Sequence, residues 1–78
     1  MKEQKIKQDI NIGANIRRVR KECNLGQTEF VRLLQLEGIA MTREALVKIE
    51  RGSQHIQASQ LRGIRDALKT TYDELLSE

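Results

Sequence analysis

The chain has 78 residues, of which 38% are apolar and 32% charged, and it contains no proline. A chain of this length buries about 60% of the surface that its unfolded form exposes, which suffices for one small core. Fourteen basic against 11 acidic residues give a formal net charge of +3, a moderate basic bias that suits a polyanionic partner without requiring one.

The chain has too few cysteine and histidine residues for several classes of functional site. Cys23 is the only cysteine and His55 the only histidine, which excludes an internal disulfide and a zinc site of four protein ligands. No catalytic triad or glycine-rich phosphate loop is present, so we expect a non-enzyme without a cofactor. The charged start "MKEQKIKQDI" and the short apolar runs predict no signal peptide and no membrane span, and the single thiol fits a reducing, cytoplasmic setting.

The chain begins with a basic segment. Residues 1–8 include Lys2, Lys5 and Lys7 and have no periodic apolar face. They are expected to form a flexible basic arm, which either has a function or is a solvated tail without one. Residues 9–78 are predicted to form one all-helical domain.

Two helices are expected in the first half of that domain. Helix one, about 11–23, places apolar residues along one stripe, which would bury the thiol of Cys23. Helix two follows Gly26, a weak N-cap with Glu29 three residues on, and should end at Gly38. Its predicted apolar stripe consists of Phe30, Leu33 and Leu34, supported by Val31.

Three shorter helices complete the prediction. Thr42 should cap helix three, about 43–50, and helix four, about 58–68, should bury Leu61, Ile64 and Leu68. Helix five opens with a capping box in which Thr71 is the N-cap and Glu74 the third residue.

Helix three has two different faces. At 100° per residue, Ala45, Leu46 and Ile49 occupy one arc and form a core stripe. The opposite arc, roughly 140° wide, carries three cations, one carboxylate and a valine: Arg43, Glu44, Val47, Lys48 and Arg51. Such a face is either a solvated surface or a surface that reads DNA.

These side chains match the chemistry of base edges in a major groove. Arg43 can donate two hydrogen bonds to guanine, and Glu44 can accept one from a cytosine amino group. Lys48 can reach a guanine or a phosphate, and Val47 can pack on a thymine methyl group. Double-stranded DNA is favoured over single strands because Phe30 and Tyr72 are the only aromatic residues.

The loop after helix three is polar. His55 is most simply a solvent-exposed loop histidine, because no second ligand or acid accompanies it. If the loop faces DNA, the side chains of Ser53, Gln54 and Gln57 are plausible donors to backbone phosphates. Arg51, two residues before Ser53, is also predicted to contact the DNA backbone.

Four segments in order give the chain a resemblance to a known family. They are "IGANIRRVRKECNLGQTEF", "TREALVKIERG", "LRGIRDAL" and "TYDELL". From Ile12 to Leu76 the chain resembles the phage-repressor-like helix-turn-helix family of Cro- and XRE-type DNA-binding domains. The resemblance implies a compact five-helix, lambda-repressor-like domain.

The resemblance also implies roles for individual residues. Gln27 matches a glutamine that binds a DNA phosphate, and Thr42 matches the cap of the recognition helix, which often contacts the DNA backbone. Arg43, Glu44, Val47 and Lys48 fall at the base-reading positions. Arg20 and Glu50 match a partly buried ion pair that joins helices one and three.

The sequence departs from the commoner pattern of this family between helices two and three. About five additional residues fall in "LLQLEGIAM", so we expect a longer turn or one more helical turn there.

We therefore predict a sequence-specific transcriptional regulator, most simply a repressor that binds a palindromic operator as a dimer. The resemblance implies dimerisation through the C-terminal helix, at Tyr72, Leu75 and Leu76, although these residues could equally belong to the chain's own core. The alternative is a protein-interaction module of the same fold, such as an antitoxin or an anti-repressor partner, that binds DNA weakly or not at all.

Overall fold

The computed structural model describes residues 5–6 and 11–78. These residues form a mostly helical, all-α unit with one very short two-stranded sheet. The elements in chain order are β1 (Lys5–Ile6), α1 (Ile12–Glu22), α2 (Gln27–Leu36), α3 (Arg43–Arg51), β2 (Ile56–Gln57), α4 (Ala58–Leu68) and α5 (Tyr72–Leu75).

The helix boundaries follow the local signals in the sequence. Thr42 and Thr71 are N-caps whose hydroxyl oxygens accept hydrogen bonds from the backbone N–H groups of Ala45, at 3.0 Å, and Glu74, at 3.2 Å. Gly38 lies just beyond α2 with φ +81°. This left-handed conformation favours glycine and lets the Ile39 N–H donate to the Leu34 carbonyl. These predicted caps are confirmed.

The core forms where the apolar faces of the helices meet. Leu46 and Ile49 of α3 are fully buried, as the helical periodicity predicted. The buried apolar side chains are Ile12, Ile16, Val19, Phe30, Val31, Leu34, Met41, Leu46, Ile49, Ile56, Leu61, Ile64, Leu68 and Leu75.

Two predicted core residues lie at the surface. The side chain of Leu33 is 39% exposed, because the inner face of α2 is filled by Phe30, Val31 and Leu34. Cys23 is also exposed, because α1 ends at Glu22 and the chain turns away at Cys23. The predictions that Leu33 and Cys23 are buried were therefore wrong.

Helix α1 packs against several of the other helices. It contacts α3, α4 and α5. The Asn15 side-chain amide donates to the carbonyl oxygens of Leu75, at 2.9 Å, and Ser77, at 2.7 Å. These bonds tie the end of the chain to α1 and satisfy carbonyl groups that a four-residue helix leaves without partners.

The closest approach of α1 to α3 is made possible by a glycine. Gly13 is buried, and a Cβ atom at this position would overlap the carbonyl oxygen of Ile49 and lie 2.9 Å from that of Glu50. Any side chain would therefore push the start of α1 away from the end of α3.

The turn between α2 and α3, residues 37–42, is long and well anchored. The Gln35 side chain donates to the Met41 carbonyl at 2.9 Å, and the buried Gln60 side chain donates to the Ala40 carbonyl at 3.3 Å. Ile39 packs on Gly63 of α4. The additional residues expected in this region thus form a longer turn, which is fixed to α4.

The short sheet was not expected from the sequence. Strand β1 pairs antiparallel with β2, with Lys5 opposite Gln57 and Ile6 opposite Ile56. Apart from Lys5 and Ile6, the arm predicted for residues 1–8 lies outside the described residues, and its flexibility stays a prediction.

Replacing Gly13 by alanine tests the close packing of α1 on α3. Helix propensity alone would stabilise the protein by up to about 1 kcal/mol. The overlap with the backbone of α3 should instead destabilise it by about 1–3 kcal/mol or more. The free energy of unfolding, measured by urea denaturation, gives the sign directly. A Gly13→Ala protein that is more stable than the wild type would contradict the described contact.

Candidate functional site

The outward face of α3 carries the residues that the sequence singled out. Arg43, Glu44 and Lys48 are exposed, and Val47 is half-buried beside them. None of the three charged side chains forms an ion pair within the described part of the chain. The helix therefore presents a surface whose charges are not neutralised by neighbouring residues.

An ion pair fixes the inner side of α3. The Arg20 Nε donates to Glu50 Oε2 at 2.8 Å, and Arg20 Nη2 donates to Glu50 Oε1 at 3.0 Å. The exposed fractions of the two side chains are 6% and 3%. This bidentate pair joins α1 to α3 and confirms the predicted pairing of Arg20 with Glu50.

The remaining hydrogen-bonding capacity of this pair is also used. Arg20 Nη1 donates to the Leu25 carbonyl at 2.7 Å. Gln27, the first residue of α2, donates from Nε2 to Glu50 Oε1 at 3.1 Å. Among the described residues, no buried side-chain nitrogen or oxygen lacks a hydrogen-bond partner, so the desolvation of the two charges is well compensated.

A cleft opens beside this ion pair, between α1, α2 and α3. It is lined by Arg17, Gln27, Val47, Glu50 and Arg51 and has a volume of about 320 Å³. Arg17 and Arg51 are exposed and form no ion pair within the described residues. The cleft therefore combines two unneutralised guanidinium groups with an oriented amide.

A second, polar cleft follows the end of α3. It is lined by Ser53, Gln54, His55, Gln57 and Gln60. The Ser53 hydroxyl donates to the Lys48 carbonyl at 3.2 Å, so Ser53 caps the end of α3. Gln54 is half-buried and His55 is exposed, which places both within reach of any partner that covers this end of α3.

The residues expected at a dimer interface have different environments. Leu75 is fully buried in the core of its own chain, whereas Tyr72 and Leu76 are each 37% exposed. The guanidinium carbon of Arg65 lies 4.5 Å from the centre of the Tyr72 ring, a cation–π geometry. The hydrogen bond to Asp66 raises the pKa of Arg65. Tyr72 and Leu76, but not Leu75, are thus available to a second copy.

Other kinds of site find no support in the described residues. Within them there is no group of three or more His, Cys, Asp or Glu side chains placed to hold a metal ion. No helix of the described part is long and apolar enough to cross a membrane.

No protein-family model, no curated protein and no solved structure matches this chain.

Sequence reasoning missed two features of this region. Arg17 was given no role from the sequence, but it lines the same cleft as Gln27 and Arg51. The role of Gln60 as the link between α4 and the 37–42 turn was also not foreseen. No sequence signal marks either residue, because both depend on how separate helices pack.

Removing the charge of Glu50 tests the ion pair. The Glu50→Gln substitution leaves Arg20 buried without a counter-charge, and we expect it to destabilise the protein by about 3–5 kcal/mol. Glu44→Gln removes the same charge from the exposed first turn of α3, where it interacts with the helix dipole, and should cost less than about 1 kcal/mol. Urea denaturation of both variants checks this. Equal losses of stability would show that the burial of the pair has no energetic role.

Proposed function

We propose that this protein is a sequence-specific, double-stranded DNA-binding transcriptional regulator, most simply a repressor. The proposal depends on one observation: α3 is anchored by its inner face and leaves Arg43, Glu44, Val47 and Lys48 accessible on its outer face. A major groove admits one α-helix, and these side chains match its donor and acceptor patterns.

The arrangement of the first three helices supports the proposal. In a helix-turn-helix unit the first helix crosses the DNA backbone while the second, the recognition helix, lies in the major groove. Here α2 and α3 pack against each other. In this proposal α3 is the recognition helix, the fold is lambda-repressor-like, and the 37–42 turn is an extended version of the family's turn.

The candidate backbone contacts surround the base-reading face. Gln27 and Arg51 share one cleft, Thr42 is exposed at the start of α3, and Gln54 lies just beyond its end. Contacts of this kind fix the position of a protein on DNA without reading the sequence. In this proposal they hold α3 at a fixed depth in the groove.

A two-fold dimer is the expected binding form, because one recognition helix covers only a half-site. Tyr72 and Leu76 offer the exposed apolar surface for such a contact. The protein needs no cofactor in this role, and we propose no enzymatic activity and a cytoplasmic location.

A protein-interaction module is the second candidate function. The observation in its favour is the exposed apolar surface of α2, where Leu36 is 78% exposed and Leu33 39% exposed. In an antitoxin or an anti-repressor partner, such a surface would bind another protein. DNA binding would then be weak or absent.

Selection from a pool of random duplex DNA distinguishes the two functions. We expect enrichment of a palindrome whose half-sites lie about 34 Å, or one helical turn, apart. Binding should also weaken with salt with a log–log slope of about −0.9 per phosphate neutralised. Folded protein that enriches no sequence would exclude sequence-specific binding and favour the protein-interaction module.

Two substitutions separate base contacts from backbone contacts. Arg43→Ala should relax specificity at one base position, at a cost of about 1–3 kcal/mol on the preferred sequence. Gln27→Ala should weaken binding to all sequences to a similar extent. Repeating the selection with each variant gives both profiles. A specificity profile that Arg43→Ala leaves unchanged would show that α3 does not read bases as proposed.

A further inference from the structure

The cleft between α1, α2 and α3 contains a cation to which no role has been given. Arg17 lies in the middle of α1, is exposed and lines this cleft together with Gln27 and Arg51. The basic residue at the end of α3, Arg51, has a local reason for its position, since a cation is favourable near a helix C-terminus. Arg17 has no such local reason for its position, because it is far from either end of α1 and has no acidic partner among the described residues.

The charge balance of the cleft favours an anion. Among the described residues that line it, Glu50 alone contributes a carboxylate. That carboxylate is buried and accepts two hydrogen bonds from Arg20, so its charge is neutralised inside the protein. Arg17 and Arg51 remain as two uncompensated positive charges facing one opening.

The side-chain amide of Gln27 is oriented so that it can donate a hydrogen bond to an anion in the cleft. Its Nε2 group has two hydrogens, and one is donated to Glu50 Oε1 at 3.1 Å. The orientation of the amide is thereby fixed, and the second hydrogen remains for an acceptor in the cleft. The Gly26 N–H at the start of α2 is already bonded to Glu29 Oε1 at 3.3 Å, so it is not a further donor to the cleft.

We infer that Arg17 contributes a further phosphate contact, and that Arg17, Gln27 and Arg51 together bind one phosphodiester group of the DNA backbone. This inference rests on the proposed DNA-binding function. Three helices would then hold the same phosphate. Arginine suits this position because its planar guanidinium donates two parallel hydrogen bonds to phosphate oxygens.

A matched pair of variants tests the role of Arg17. Arg17→Gln and Arg32→Gln each remove one positive charge from an exposed helical position. Arg32 lies on α2 and does not line the cleft. The probe is a duplex of one fixed sequence from the selected pool or, if the selection enriches nothing, from the unselected pool.

We expect Arg17→Gln to weaken binding about tenfold for each copy of Arg17 in the complex, because a charge-assisted contact is lost. It should also reduce the magnitude of the salt slope by about 0.9 for each copy of Arg17 in the complex. Arg32→Gln should weaken binding less than about twofold, because only long-range attraction changes. Thermal unfolding of both variants verifies that they are folded.

Ethylation interference identifies the phosphate. With wild-type protein, ethylation of the shared phosphate in each half-site should weaken binding, and this sensitivity should be reduced at the same phosphate in both Arg17→Gln and Gln27→Ala. The double variant should lose less affinity than the product of the two single losses, since both side chains bind the same group.

The possible failures are distinguishable. If the wild type binds duplex DNA but Arg17→Gln keeps its affinity and salt slope, the inference about Arg17 is wrong while the proposed function stands. If Arg17→Gln and Gln27→Ala reduce the interference at two different phosphates, the shared site is overturned. If the wild type binds no duplex at all, both the proposed function and the phosphate assignment are overturned.

Discussion

The buried ion pair between Arg20 and Glu50 is the interaction on which the rest of the structure depends. Two charges removed from water are costly unless each is fully hydrogen-bonded. Here the pair is bidentate, and the remaining donors and acceptors reach Leu25 and Gln27. One carboxylate and one guanidinium thus connect α1, the α1–α2 loop, α2 and α3. The position of α3 relative to α1 is set by this geometry, which apolar contacts alone would leave less specific.

Close backbone packing and turn anchoring complete the placement of α3. At Gly13 the start of α1 lies against the carbonyl groups at the end of α3, so steric overlap prevents a closer approach. Separation of the two helices would break the ion pair. On the other side, Gln35 and Gln60 hold the 37–42 turn to α2 and α4. A long turn would otherwise allow α3 to move. Both ends of α3 are therefore held by contacts with other helices, and a surface that is held in place before binding loses less entropy when it binds.

The same carboxylate links the scaffold to the candidate site. Glu50 stabilises the fold through Arg20 and orients the amide of Gln27, which faces the cleft that Arg17 and Arg51 also line. In the proposed complex, the phosphate position and the depth of α3 in the groove would be coupled, because both depend on Glu50. The C-terminal end is tied to α1 through Asn15, so a dimer formed through Tyr72 and Leu76 would transmit its geometry to α3 through α1.

The sequence by itself determined the local features: the threonine caps, the glycine that ends α2, the buried stripe of α3 and its charged outer face. These features depend on residues three or four positions apart, which any helix brings together. The resemblance to a known family supplied the pairing of Arg20 with Glu50, which periodicity could not. Only the tertiary structure decided that Leu33 and Cys23 are exposed, that Leu75 is buried, that β1 pairs with β2 and that Arg17 joins Gln27 and Arg51. Each of these features depends on contacts between residues far apart in the chain. The packing of the helices against one another determines which apolar residues of a helix are buried and which stay exposed.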